Sequence, residues 1–456
     1  MVKRFGLRKE VGMEFLVIGG DAAGMSAASR AKRNQPDMNV TVLEATGDVS
    51  YSACGMPYNI ADRERPIDDL VVRKAQVFRE KQGINLVTGC RAEQIDTGKG
   101  RVTAVGPEGN TREFPFDRLL IATGASPVMP DIPGIDAPGV YPLKSLSDGR
   151  EIKAFLGAQN AKSAILVGMG YIGLEMAEAL KERGLSVTGV TLDFMPGYDE
   201  QIVEVVRKTL IEHNVCLETG SEVSAIEQTG DGLKVSCGGE TCTAEMVLMG
   251  VGVRPNSRIA EDAGIALGAK DAVSVDRRVE TSVSGIYSAG DCADAYHVVT
   301  GEKVWIPLAL RANRAGWAAA DNICGKDVEL QGVAGSTVFK VFELEVATTG
   351  INENEARAHG FDPASVTIEA RSRAHAHPGS TSIFVHLVGD RRTGRLLGAQ
   401  MVGKEGVAHR IKAPAVALHC GMTVEDFSQT DLAYAPPFSP VWDPLLTAAN
   451  QLVKRL

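Results

Sequence analysis

Two short apolar runs each break into a glycine turn and then into a helix-forming stretch. They predict an α/β chain with two Rossmann-like dinucleotide-binding domains. A change of composition near Gly335 adds a third, C-terminal α+β domain. The first run is residues 13–18, followed by Gly19-Gly20-Asp21-Ala22-Ala23-Gly24 and an alanine-rich stretch to Arg33. The second is residues 164–167, followed by Gly168-Met169-Gly170-Tyr171-Ile172-Gly173 and a strongly helical stretch, with Glu175 near its start, to Arg183. Strand-like runs at 337–342, 382–388 and 396–402, then a helical pattern over 411–420, make up the third domain.

In the first unit Gly19 permits the turn and Gly24 permits close packing of helix on strand. The helix N-terminus, with Ala22 and Ala23 in its first turn, suits a pyrophosphate. A second strand at 40–43 ends in Glu44, 20 residues beyond Gly24, where a carboxylate accepts a ribose hydroxyl. Asp21 replaces the middle glycine of the pattern. A buried strand at 119–122 then opens into Ala122-Thr123-Gly124, and a proline-rich stretch over 127–142 reads as a connection between domains.

The second unit is a complete G-x-G-x-x-G between strand and helix. Its next strand, 186–191, ends in Thr191, where an NAD-preferring site often places a carboxylate, and Asp193 follows two residues on. No arginine stands beside Thr191 to meet a 2′-phosphate, so NADH and NADPH both remain open. Beyond it come the stretch 250–256 containing Gly252, another apolar strand ending in Gly290-Asp291, and a helical pattern over 306–316 that includes Leu308 and Ala309.

Bulk properties exclude several classes. The 456 residues, 44% apolar and 23% charged, are ordinary for a globular protein of several domains. A net charge of −9 argues against non-specific nucleic-acid binding. No apolar run approaches the ~18 residues of a membrane span. Residues 1–10 are basic without the apolar core of a secretory signal and read as a short tail, so the expected location is cytoplasmic. The eight cysteines (54, 90, 216, 237, 242, 292, 324 and 420) are scattered, with no Cys-x-x-Cys pair, as in a reducing compartment. Cys237 and Cys242 flank a Gly-Gly hairpin turn and read as structural, since a metal would need two more ligands and the nearby sequence offers none.

The remaining signal is Ser50-Tyr-Ser-Ala-Cys54-Gly-Met-Pro-Tyr58, one cysteine among small residues. By itself it reads as a buried structural thiol. Two nucleotide units in one chain change that reading, because they imply two cofactors that exchange electrons. A helix beginning near residues 55–57 would favour a thiolate.

From residue 13 onward the sequence resembles the pyridine nucleotide–disulfide oxidoreductases. The resemblance rests on the turn 19–24 with Glu44, Ala122-Thr123-Gly124, the turn 168–173, Gly290-Asp291, and the ending Asp431-Leu-Ala-Tyr434-Ala-Pro-Pro437. It implies an FAD domain from residues 13–145 and 255–330, an NAD(P)H domain from 146–254, and a dimerisation domain from 335–456. Asp291 would contact the flavin's ribityl or phosphate portion. The same resemblance implies that Gly19, Asp21, Ala22, Ala23, Gly24, Glu44, Ala122, Thr123, Gly124, Gly290, Asp291, Leu308 and Ala309, with Gly168, Gly170, Tyr171, Ile172, Gly173, Glu175 and Gly252, hold the cofactors.

Asn59 stands where members with an internal dithiol carry a second cysteine. The single Cys54 is similar to coenzyme A disulfide reductases, polysulfide or persulfide reductases, and NADH oxidases and peroxidases. The last two usually place a histidine in the first glycine turn, at the position of Ala22 here. Ala53 replaces a frequent asparagine, and His377, in Ala376-His377-Pro378-Gly379, replaces a frequent tyrosine.

The resemblance therefore implies an NAD(P)H-dependent reductase of a low-molecular-weight disulfide, persulfide or polysulfide of the coenzyme A-linked kind, working as a homodimer. Electrons would pass from NAD(P)H through FAD to a sulfur bonded to Cys54. Tyr434, with His377, would act from the partner subunit on the departing thiolate, and Arg33, with Ser26, Arg30 and Ser50, would meet the substrate's phosphates. The alternatives are an oxidase or peroxidase cycling Cys54 through sulfenic acid, a flavin electron carrier to a protein partner, and a redox-sensing binding protein.

Overall fold

A computed structural model describes residues 12–159, 161–230 and 232–456; the tail at residues 1–10 lies outside the described residues. Three five-stranded sheets carry the fold.

The first sheet runs Ile286–Ser288, Arg118–Ile121, Glu14–Ile18, Asn39–Glu44, Asn85–Thr88, all parallel. Its central strand is buried from Phe15 to Ile18, which explains an unbroken apolar run where an exposed sheet would alternate. The helix Ala22–Asn34 packs on it and against a second helix, Ala309–Ile323. The sequence places that second helix at 306–316. In the structure it begins later, because Pro307 has no N–H and biases Ile306 away from helix. It also continues past Gly316, the point of closest approach: a Cβ there would lie 2.3 Å from the Ala23 carbonyl oxygen.

The second sheet runs Val215–Thr219, Ser186–Thr191, Ser163–Val167, Met246–Met249, Val140–Pro142, again all parallel. A three-stranded sheet, Val223–Thr229, Gly232–Cys237 and Glu240–Ala244, covers one face. Its last two strands form the hairpin expected around Gly238-Gly239. Tertiary structure also brings Cys216 and Glu218 beside Cys242, neighbours that sequence distance hides. Among the described residues no group of His, Cys, Asp and Glu is arranged to hold a metal ion.

The C-terminal sheet is antiparallel, in the order Thr337–Val341, Leu344–Gly350, Leu396–Gly403, Ser382–Asp390, Pro363–Arg371. The helix expected over 411–420 is divided into Val407–Arg410 and Lys412–His419. One apolar cluster runs unbroken from the second unit (Ile202, Val206, Leu210) into this domain (Phe339, Val341, Val402), so the two share a core. Glu178 reinforces that junction by accepting from Lys340 and from the Phe342 N–H. Among the described residues no helix is long and apolar enough to cross a membrane.

His297 sits at the junction of the first unit and the C-terminal domain, 3% exposed, with His359 and His419 near it. Its Nδ1 accepts from the Val299 N–H at 3.2 Å. Burial pulls it down to about 4, below the ordinary histidine value of 6.5. The unfolded chain therefore binds the extra proton between those values. The stability from neutral His297 is complete above pH 6.5 and lost as pH falls through 4, about 3 kcal/mol in all. His297→Gln should flatten this part of the acid dependence, read as a smaller change in urea midpoint between pH 7.5 and 4.5.

Candidate active site

Both glycine turns obey one steric rule. A Cβ on Gly19 would lie 2.1 Å from the Ala122 carbonyl oxygen, and one on Gly24 would lie 1.9 Å from that of Gly19. In the second unit the distances are 2.5 Å from Gly168 to the Gly250 oxygen and 2.2 Å from Gly173 to the Gly168 oxygen. Only glycine lets strand, turn and helix meet this closely.

The middle position differs. A Cβ on Gly170 would stand in open space, leaving room at the helix end. Its counterpart Asp21 turns its carboxylate onto the Tyr51 N–H at 3.2 Å, while the Ser50 N–H donates to the Gly20 carbonyl at 3.1 Å. The residue that breaks the glycine pattern thus ties the Cys54 segment to the first turn. Burial pushes the Asp21 carboxyl up to about 6, against the lowering by the Tyr51 and Ala22 N–H groups and the Lys144 charge.

The residues fit two dinucleotides. The helices starting at Ala22, Tyr171 and Ala309 carry no side-chain cap and no acid in the first turn. The helix Leu146–Ala158, by contrast, is closed by a Ser145–Asp148 capping box. Uncapped N–H groups at a glycine turn are donors for a pyrophosphate. Glu44 is held facing the first turn: Oε2 accepts from the Gly20 N–H and Oε1 from the Thr46 N–H, both at 2.7 Å. Thr123 and Gly124 are braced by Asn256, whose N–H donates to the Gly124 carbonyl at 2.9 Å and whose amide donates to the Thr123 carbonyl. Gly252 receives the Val128 N–H on its carbonyl.

Cys54 is exposed in a 3₁₀ turn, Ala53–Gly55, that leads directly into the helix Met56–Ala61 with Pro57 in its first turn. Around it gather Glu175, Lys144 and Asp291. Lys144 Nζ donates to Asp291 Oδ2 at 2.9 Å, and Trp305 Nε1 donates to the Asp291 carbonyl at 2.7 Å. The Tyr58 hydroxyl donates to Glu175 Oε1 at 2.6 Å, linking the Cys54 helix to the second unit.

A thiol lowered by the following helix is the sequence expectation. The surroundings of Cys54 in the fold do the opposite. Cys54 is open to solvent at the surface, yet enough protein lies around its sulfur to desolvate the anion; this raises the thiol, Glu175 adds to the rise, and the cation that opposes them is Lys144. Burial by itself would lower Lys144, but its bond and proximity to Asp291 outweigh that and raise it, so it stays cationic. Lys144 carries no motif signal, and only the fold brings it here. Glu175 is itself raised, by burial first.

The other sequence candidates divide. Ser26, Arg30 and Arg33 share one helix, but Ser26 donates to Asn313 at 2.5 Å and Arg30 forms a two-point pair with Asp321 at 2.9 Å, leaving Arg33 exposed. Ser50 lies over the first glycine turn with a φ of 48°. Tyr434 and His377 lie in the C-terminal domain on segments joined by the Ala374 N–H and the Pro436 carbonyl. Within one chain no described hydrogen bond or ion pair joins either to Cys54.

The chain belongs to the pyridine nucleotide-disulphide oxidoreductase family. Residues 13–316 match the model of that description, and residues 336–445 match that of the family's dimerisation domain. It is a flavoprotein oxidoreductase. An NAD(P)H sulfur oxidoreductase (CoA-dependent) of Pyrococcus furiosus is 39% identical over 440 residues, covering 96% of this chain and 98% of that protein. An NADH oxidase of Methanocaldococcus jannaschii is 32% identical over 447 residues, covering 97% and 99%. The solved structure of an NAD-dependent persulfide reductase from A. fulgidus superposes with a TM-score of 0.94 at 36% identity, over 97% of this chain and 83% of that one.

The charges around Cys54 predict opposite effects of two substitutions. Lys144→Met should move the pH midpoint for Cys54 alkylation upward, and Glu175→Gln should move it downward. Peptide-resolved mass spectrometry of iodoacetamide labelling, which separates Cys54 from exposed Cys216 and Cys420, reads both.

Proposed function

We propose that this protein is an FAD-dependent reductase that uses NADH or NADPH to cleave a low-molecular-weight disulfide, persulfide or polysulfide, of the coenzyme A-linked kind, at Cys54. The observation that carries this is one accessible thiol, without a second cysteine in its segment, linked to both uncapped dinucleotide turns and beside a partly buried lysine–aspartate pair. The names of the P. furiosus and A. fulgidus relatives point the same way.

The turn 19–24, Glu44, Ala122–Gly124, Gly290-Asp291 and the helix beginning at Ala309 would hold FAD, which when bound would supply a relay for two electrons from the pyridine nucleotide. The turn 168–173, Glu175 and Gly252 hold that nucleotide, and the domain division is 13–145 with 255–330 against 146–254. Cys54 attacks one sulfur of the substrate disulfide. A Cys54–substrate disulfide forms, the original sulfur–sulfur bond breaks, and one thiolate leaves. Two electrons then cleave the mixed disulfide, restoring the Cys54 thiolate and releasing the second thiolate. Lys144 stabilises the Cys54 anion in both steps, and two protons from solvent or from Tyr434 and His377 of a partner subunit neutralise the products.

A homodimer fits the site. Tyr434, Phe438, Val441 and Trp442 expose an apolar strip, with Phe438 76% exposed, in the segment that carries Tyr434. Residues 335–456 are read as the dimerisation domain, and the cytoplasm as the location. Arg33 is the proposed contact for substrate phosphates, with Ser26 and Arg30 on its helix and Ser50 over the first glycine turn.

Oxidase chemistry is the second reading, favoured by the M. jannaschii relative. It is disfavoured by Ala22 at the position where such proteins usually carry histidine. A panel measuring NAD(P)H consumption with coenzyme A disulfide, coenzyme A persulfide, polysulfide, peroxide and oxygen separates the two. Cys54→Ser should keep its flavin and lose turnover of the sulfur acceptors by about 10³-fold or more. Undiminished turnover in that variant would sink every mechanism through Cys54 and leave the electron carrier.

A further inference from the structure

The strand Ser186–Thr191 of the second unit leads into a loop, 192–199, ahead of the helix Glu200–Glu212. In a dinucleotide-binding unit the stretch after the second strand lies beside the adenosine ribose. This loop is bent hard: Met195 has a φ of 52° and Gly197 a φ of 83°. A non-glycine residue in the left-handed region persists only where its surroundings over-determine it.

Those surroundings come from the C-terminal domain. Gln400 Nε2 donates to the Gly197 carbonyl at 2.7 Å, and its Oε1 accepts from the Asp199 N–H at 2.7 Å. Across the antiparallel ladder Gln400 stands directly opposite His386, which stands opposite Thr367. His386 Nδ1 is 2.9 Å from the Thr367 hydroxyl and 3.4 Å from Asp199 Oδ2. The Tyr198 hydroxyl bonds to Thr337, and a Cβ on Gly197 would lie 2.8 Å from the Asn352 amide nitrogen.

Gln400 sits in a strand, Leu396–Gly403, whose every residue is buried. An amide there is costly unless both of its ends are bonded. Both are bonded, and both partners belong to the loop of another domain.

We infer that Gln400 is a positioning residue for the pyridine nucleotide: from the C-terminal sheet it fixes the loop 192–199 in the shape that receives the adenosine end of NADH or NADPH. This rests on the second unit being the NAD(P)H site, as proposed above. The C-terminal domain thereby shapes the nucleotide site of its own chain.

Two variants of the FAD-loaded enzyme test it. Gln400→Leu removes both bonds at similar volume, whereas Gln400→Glu keeps the acceptor for the Asp199 N–H and loses the donor to Gly197. For Gln400→Leu, the dissociation constants of NADH and NADPH, by titration, and their KM should rise about tenfold, the worth of about one buried hydrogen bond. The kcat and the KM for the sulfur acceptor should stay within about twofold. Gln400→Glu should fall between wild type and Gln400→Leu, and it decides alone if Gln400→Leu does not fold. Unchanged nucleotide dissociation constants in a folded variant, with only a lower thermal midpoint, would overturn the inference and leave Gln400 as core structure. If the wild-type protein itself shows no saturable binding of NADH or NADPH, the functional reading falls and the inference falls with it.

Discussion

The molecule depends on backbone meeting backbone at its two glycine turns. Gly19 against Ala122 and Gly168 against Gly250 bring each first strand within van der Waals reach of the crossover that follows its neighbour. Gly24 and Gly173 then seat each helix on its own turn. A single methyl group at any of these four positions would collide with a carbonyl oxygen that cannot move. Everything in the proposed electron path depends on this spacing, because it sets where the uncapped helix ends point.

Around Cys54 the chain balances burial against charge. Burial and Glu175 hold the proton on the thiol, and Lys144 opposes them. Lys144 can do so only because Asp291 keeps it cationic in a partly buried place. Asp291 thus serves both as the acid of the Gly-Asp motif and as the partner of the lysine that faces the Cys54 thiol. Removing solvent from this cleft on cofactor binding would strengthen each of these charge effects.

The C-terminal sheet reaches beyond its own layer. Its strand Leu396–Gly403 grips the loop 192–199, and Lys340 and Phe342 grip Glu178 in the helix behind the second glycine turn. The shared apolar cluster makes this contact continuous core. The second unit is therefore fixed to this domain, and its loop 192–199 is held by a residue about 200 positions away.

Much was legible in the sequence, for local reasons. Strand, glycine turn and helix are encoded within short windows, and steric demand for glycine is visible residue by residue. So were the placing of Glu44 against the first turn and the change to an α+β domain near Gly335. The end of the helix at Ile323 was not legible, because Gly316 reads as a stop until Ala23 is seen against it. Nor was the use of Asp21 as a brace for Tyr51, or the arrival of Cys216 beside Cys242. Lys144 and Gln400 carry no pattern at all. Their roles come from which distant groups the fold sets within hydrogen-bond distance, and electrostatic and hydrogen-bond partnership over such separations is decided only when the three sheets are assembled.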